Sequence, residues 1–120
     1  MRKKTQSLVE KIVSALEDKK GIDIQVLDVR DLVSYTDYLI LCSGTSSAHV
    51  GALVNNARES LPKGDRPIYV NPSKNDSWWI LDFVDVVVHV FQEKERQYYD
   101  LEQLWGDAKK IGTYTKPGNN

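Results

Sequence analysis

The sequence predicts one α+β (α/β) domain, a five-stranded mixed sheet flanked by helices in the order α-β-β-α-β-β-β-α. Two observations carry that reading. Apolar residues recur at helical spacing in three separate stretches, and short runs rich in β-branched residues stand between them. A helix over about 5–19 puts Leu8, Val9, Ile12, Val13, Ala15 and Leu16 on one stripe. Lys19 and Lys20 suit the negative end of its dipole, and Gly21 stops it. Ile22, Ile24, Val26 and Val29 mark a strand over 22–29, and Arg30–Thr36 is a polar connection. Tyr38–Ser43 is continuously apolar, which suits an interior strand covered on both faces. Gly44-Thr45 breaks it, and Ser46 caps a helix burying Val50, Leu53, Val54, Ala57 and Leu61, closed by Pro62 and Gly64. Pro67–Asn71 reads as a short strand at or near a sheet edge, because proline cannot donate to a ladder. A loop over 71–77 leads to strands at 78–82 and 85–91 and a helix over 93–105. Residues 1–108 form the expected domain, and 109–120 a flexible tail, frayed from Gly112 onward.

At 120 residues the chain supports one core. An apolar share of 41% and a charged share of 28% fit an ordinary globular protein. Sixteen basic residues against 17 acidic ones leave a net charge of −1, too little for affinity built on many phosphates. The lone Cys42 permits neither an internal disulfide nor a cysteine-based zinc site, and suits a reducing cytoplasm. No apolar run is long enough to cross a membrane, and the chain enters a helical pattern with no signal-peptide core.

The stretch from Trp78 to Phe91 is the most informative. A two-residue turn at Phe83-Val84 would set Asp82 opposite Asp85, Ile80 opposite Val87 and Trp78 opposite His89. One face, Trp79, Leu81, Val86, Val88 and Val90, is wholly apolar and belongs to a core. The other gathers two carboxylates, a histidine and a tryptophan. Opposed carboxylates repel, so that face favours a cationic partner. Trp78 and Trp79 point to opposite faces, Trp79 inward and Trp78 toward a partner. The plainer alternatives are turn solvation for the two Asp residues and a hydrogen-bonded strand histidine for His89. Asp82, Asp85 and His89 are too far apart in this pairing to share a metal ion, and no nucleophile accompanies them. Ser43-Gly44-Thr45-Ser46 lies between a strand and a helix, where free N–H groups can bind phosphate. A nucleotidyltransferase would also need paired carboxylates for magnesium, and none follow. Helix capping is the simpler reading. His49 reads as a helix-face residue, and Glu93–Arg96 as a solvated first turn.

The order Trp78-x-x-x-Asp82-aromatic-x-Asp85-x-x-x-His89-x-Phe91, followed by Arg96, Tyr99 and Leu101-Glu102-x-Leu104-Trp105-Gly106-Asp107-Ala108, resembles the ribosomal silencing factor family, also called Iojap-like or RsfS. Asp28-Val29 followed by Thr36-Asp37-Tyr38-Leu39-Ile40, and the Ser43–Ser46 turn, agree with it over about residues 8–108. The chain departs from the pattern at Val84, where the family usually has glycine, and at Ala48 and His49, where Arg and Gln are frequent. A valine there disfavours a positive φ, so a different or bulged turn is expected. The resemblance implies a nucleotidyltransferase-like fold without catalytic carboxylates, no enzymatic activity and no cofactor. It further implies a homodimer that binds protein fourteen of the large ribosomal subunit and sterically blocks joining of the small subunit when nutrients are scarce. Trp78, Asp82, Phe83, Asp85 and His89 would then form the contact, with Arg96 and Tyr99 at its border. Arg2, Lys3 and Lys4 are candidates for a peripheral ribosomal RNA contact. The competing enzyme reading is a small nucleotidyltransferase-like or phosphate-binding protein using the Ser43–Ser46 turn.

Overall fold

The computed structural model describes residues 3–72, 78–99 and 109–114. Helix α1 (Lys3–Asp18) precedes strands β1 (Ile22–Asp28) and β2 (Tyr38–Gly44), helix α2 (Ser47–Glu59) and strand β3 (Tyr69–Pro72). The hairpin β4 (Trp78–Asp82) and β5 (Val86–Gln92), helix α3 (Glu93–Tyr99) and strand β6 (Lys109–Tyr114) follow. The sheet order is β3-β4-β5-β2-β1-β6, with β2 and β5 parallel and every other neighbouring pair antiparallel.

All five expected strands are present, and β3 does lie at an edge. The expected tail is corrected over 109–114. That segment pairs with β1, Ile24 opposite Tyr114 and Asp28 opposite Lys109, with a register shift between Val26 and Leu27. Without it the outer edge of β1 would present unpaired N–H and C=O groups. Residues 115–120, and the portion of the expected last helix from 100 to 105 with Leu101, Leu104 and Trp105, lie outside the described residues.

β2 is buried along its whole length, as a strand covered on both faces must be. Ile40 and Cys42 join Val9, Ile12, Val13 and Leu16 of α1 and Val50, Leu53 and Val54 of α2 in the main core. Leu39 and Leu41 point the other way, into a second cluster with Leu27, Val29, Val87 and Phe91. Two separate cores on one sheet explain why β2 shows no alternation.

The end of α1 follows the Schellman pattern, with Gly21 N–H donating to Leu16 O at 2.9 Å and Lys20 N–H to Glu17 O at 2.9 Å. The left-handed residue is Lys20, at φ 62°, not the glycine. Gly21 is required for another reason: a Cβ there would come within 2.6 Å of Cys42 Sγ. α2 begins at Ser46, whose Oγ accepts from His49 N–H at 3.1 Å.

Candidate protein-contact site

The β4–β5 hairpin keeps the expected faces but not the expected register. Asp82 stands opposite Val87, Ile80 opposite His89 and Trp78 opposite Phe91. The turn has moved one residue along, to Val84-Asp85, so Asp82 and Asp85 do not face each other. This corrects the opposed-carboxylate pairing. Side-chain parity survives, because moving the turn by one residue shifts the pairing by two. Val84 takes φ 77°, against the expectation that valine would avoid it. Asp85 N–H donates back to Phe83 O at 3.1 Å, closing a γ-turn around Val84, and Phe83 N–H reaches Val86 O at 2.8 Å. Three neighbours hold that strained geometry. Thr36 Oγ1 donates to Val84 O at 3.0 Å, and the N–H groups of Asp37 and Tyr38 both donate to Asp85 O, at 3.2 and 3.1 Å. Asp82 Oδ1 accepts from Val84 N–H at 2.8 Å.

Leu81, Phe83, Val86, Val88 and Val90 belong to the main core, with Trp79 partly buried against it. Phe83 is therefore corrected: only 7% exposed, it supports the tip from the main-core side and not from the face of Trp78 and Asp82. On the opposite face Trp78 and Ile80 pack on the second cluster beside Val87 and Phe91. That face is less open than expected, yet Trp78, Ile80, Asp82 and His89 each keep partial exposure. The Trp78 indole N–H donates to His89 Nδ1 at 3.1 Å, and its ring meets Phe91 edge-on at 5.7 Å between centroids. Burial lowers the His89 pKa to about 4, so the imidazole is neutral with its proton on Nε2. The hydrogen-bonded strand histidine is thus what the structure contains, set within the same face as Trp78.

Tyr69 was missed by the sequence reading. It stands opposite Asp82 on β3, on the same face, and is 58% exposed. Only the β3–β4 register reveals it, and the intervening loop hides that register in the sequence.

Arg96 is also corrected. It is 5% exposed, so it is not part of a solvated turn and has little surface to offer at the border of a contact. Its Nη1 donates to Asp23 O and Ser43 Oγ, both at 2.9 Å, its Nη2 lies 3.6 Å from Asp23 Oδ2, and the guanidinium sits over the Phe91 ring. It ties α3 to β1 and β2. The backbone of Tyr99 ends α3, but its side chain is outside the described residues.

Side chains and backbone around the Ser43–Ser46 turn bond to one another. Ser43 Oγ accepts from Arg96, Thr45 N–H donates to His49 Nδ1 at 2.9 Å, and His49 N–H is held by Ser46 Oγ. His49 Nε2 donates to Lys19 O at 2.8 Å, so this side chain pins the turn to the end of α1. These bonds fit the helix-cap reading of the turn. Among the described residues no three His, Cys, Asp or Glu side chains are grouped to hold a metal ion.

A half-buried aromatic pair, an aliphatic residue, a tyrosine and a carboxylate share one sheet face, a mixture of the kind found at protein contacts. The model of the family described as "Ribosomal silencing factor during starvation" matches residues 2–119. Ribosomal silencing factor RsfS of Bacillus subtilis is 35% identical over 104 residues, covering 86% of this chain and 88% of its own. The crystal structure of a Chromobacterium violaceum protein superposes with a TM-score of 0.79 at 35% identity, covering 92% of each chain. A mouse protein named for mitochondrial assembly of the ribosomal large subunit is 31% identical over 81% of this chain, which spans 44% of it. The chain belongs to the ribosomal silencing factor family.

Proposed function

We propose that the chain represses translation by binding the large ribosomal subunit through ribosomal protein fourteen and sterically blocking the small subunit. The family match over residues 2–119 carries this reading. The half-open face of Trp78, Ile80 and His89, flanked by Asp82 and Tyr69, supports it, because a basic, partly apolar protein surface would find complements there. Occlusion needs no catalytic group. The reading places the protein in the cytoplasm with the ribosomes it would silence. Self-association along a sheet edge, and a peripheral RNA contact by Arg2, Lys3 and Lys4, belong to the same proposal.

Purified protein mixed with separated subunits and run on a gradient provides the test. Co-migration with free large subunits, and fewer assembled ribosomes when small subunits are added in excess, is the expected result. Equal recovery with small subunits, or with assembled ribosomes, would overturn it.

A further inference from the structure

We infer that the sheet end formed by the β4–β5 tip, residues 35–37 and Ile68 is a second docking surface, whose occupant is a cationic protein segment bearing an apolar side chain. This rests on the reading above and extends the contact around the end of the sheet.

Three segments distant in sequence are locked together here. Thr36 holds Val84 O, Asp37 and Tyr38 hold Asp85 O, and Ile68 N–H donates to Asp82 O at 2.8 Å. Together they expose Tyr35 at 59%, Ile68 at 72% and Val84 at 53%. Behind the tip runs a groove of about 330 Å³, with Leu8 and Phe83 among its lining and Ile68, Val84 and Asp85 beside them. Ile68 and Val84 line this one groove, and large apolar side chains left in water together mark an interaction site more often than chance. Val84 is held at φ 77° by surrounding bonds, and backbone strain of this kind gathers at functional surfaces.

Charge selects the occupant. Asp37, Asp82 and Asp85 belong to the tip side, and among the described residues none has an ion-pair partner within 4.0 Å, Asp37 interacting only at longer range with Arg30. Lys4 of α1 and Arg66, two residues before Ile68, line the groove together with Asp65 and Asp85. A phosphate backbone entering over the tip would meet carboxylates, whereas a lysine or arginine would be drawn to them.

The test compares wild type with the double variant Tyr35→Ser, Ile68→Ser in titrations against purified large subunits, alongside Asp37→Asn and Lys4→Gln. Both substituted side chains of the double variant are mostly exposed, so its melting temperature should match wild type. Its affinity should fall roughly ten-fold or more. Asp37→Asn should weaken binding and reduce its salt dependence, and Lys4→Gln should weaken it less, by no more than the peripheral RNA contact contributes. If wild type binds and the double variant binds equally, this surface is wrong while the silencing reading stands. If wild type does not bind, both fall. A double variant that loses self-association in sedimentation velocity but keeps subunit binding would assign the surface to a second copy and overturn the proposal. A larger loss for Lys4→Gln than for Asp37→Asn would indicate RNA, with the same consequence.

Discussion

Trp78 hydrogen-bonds His89 diagonally across the β4–β5 ladder, although neither is the other's strand partner. Trp78 stands opposite Phe91 and His89 opposite Ile80, yet the indole N–H reaches Nδ1 at 3.1 Å. The bond requires a neutral imidazole, since a protonated Nδ1 would present a second donor to the indole.

That relationship sets a pH dependence. Burial lowers the folded pKa of His89 from 6.5 to about 4, so the unfolded chain takes up a proton first as the pH falls. The stability contribution is complete above about pH 6.5 and is lost progressively toward pH 4. The shift corresponds to at most about 3 kcal/mol. Urea denaturation between pH 7.5 and 4.5 should show this decline, and His89→Gln should flatten it. An equal slope in both proteins would exclude His89 as the titrating group.

Strain at the tip gives a second expectation. Val84 is β-branched, held at φ 77° and 53% exposed, so its side chain contributes little packing in return. Val84→Gly should raise stability by about 1 kcal/mol, the relief of strain exceeding the added freedom of the unfolded chain. A lower melting temperature would show that the side chain stabilises the tip after all.

The two carboxylates of the hairpin should behave differently. Asp85→Lys, at the turn, should weaken large-subunit binding while leaving the fold intact. Asp82→Lys should also lose the bond from Val84 N–H and cost about 1 kcal/mol of stability. Thermal melts and binding titrations of each single variant separate the effects. Unchanged binding in the double reversal at physiological salt would remove the cationic partner from the model.

The adjacent tryptophans separate less sharply than simple alternation suggests. Trp79 packs on the main core and Trp78 on the second cluster, and both are partly buried. Trp79→Ala should cost about 3 kcal/mol and leave subunit binding by the remaining folded protein unchanged. Trp78→Ala should cost about 2 kcal/mol of stability and in addition weaken binding by about 2 kcal/mol. Melting curves and titrations on both proteins decide it. Lost binding in Trp79→Ala alone would mean that the hairpin presents its other face.

The elements that were legible in the sequence are those whose own residues dictate them. The α1 stripe, the Ser46 cap and the apolar run of β2 needed no distant information. The hairpin faces were legible because period two fixes parity, but the turn position was not. Val84 disfavours its φ locally, and the bonds from Thr36, Asp37 and Tyr38 that impose it arrive from another segment. Arg96 lies in a charge-rich stretch that reads as solvated, and only Asp23 and Ser43 reveal its burial. Period two put Trp78, Asp82 and His89 on one face, as the ladder has them, whereas Phe83 lies on the main-core side and Tyr69 joins that face only through the β3–β4 register. Strand β6 was hidden because Lys109–Tyr114 has one aliphatic residue and a glycine, with no alternation to read.

Strand β6 also makes the sheet a late structure in the life of the chain. Its partner β1 is synthesised before it, and the stretch from Asp28 to Lys109 separates the two. While translation of its own message is still under way, the outer edge of β1 has no native neighbour, and a nascent chain carries an open template for non-native strand pairing. A protein proposed to quiet ribosomes thus depends on a ribosome that carries on through β6 before its own sheet can close.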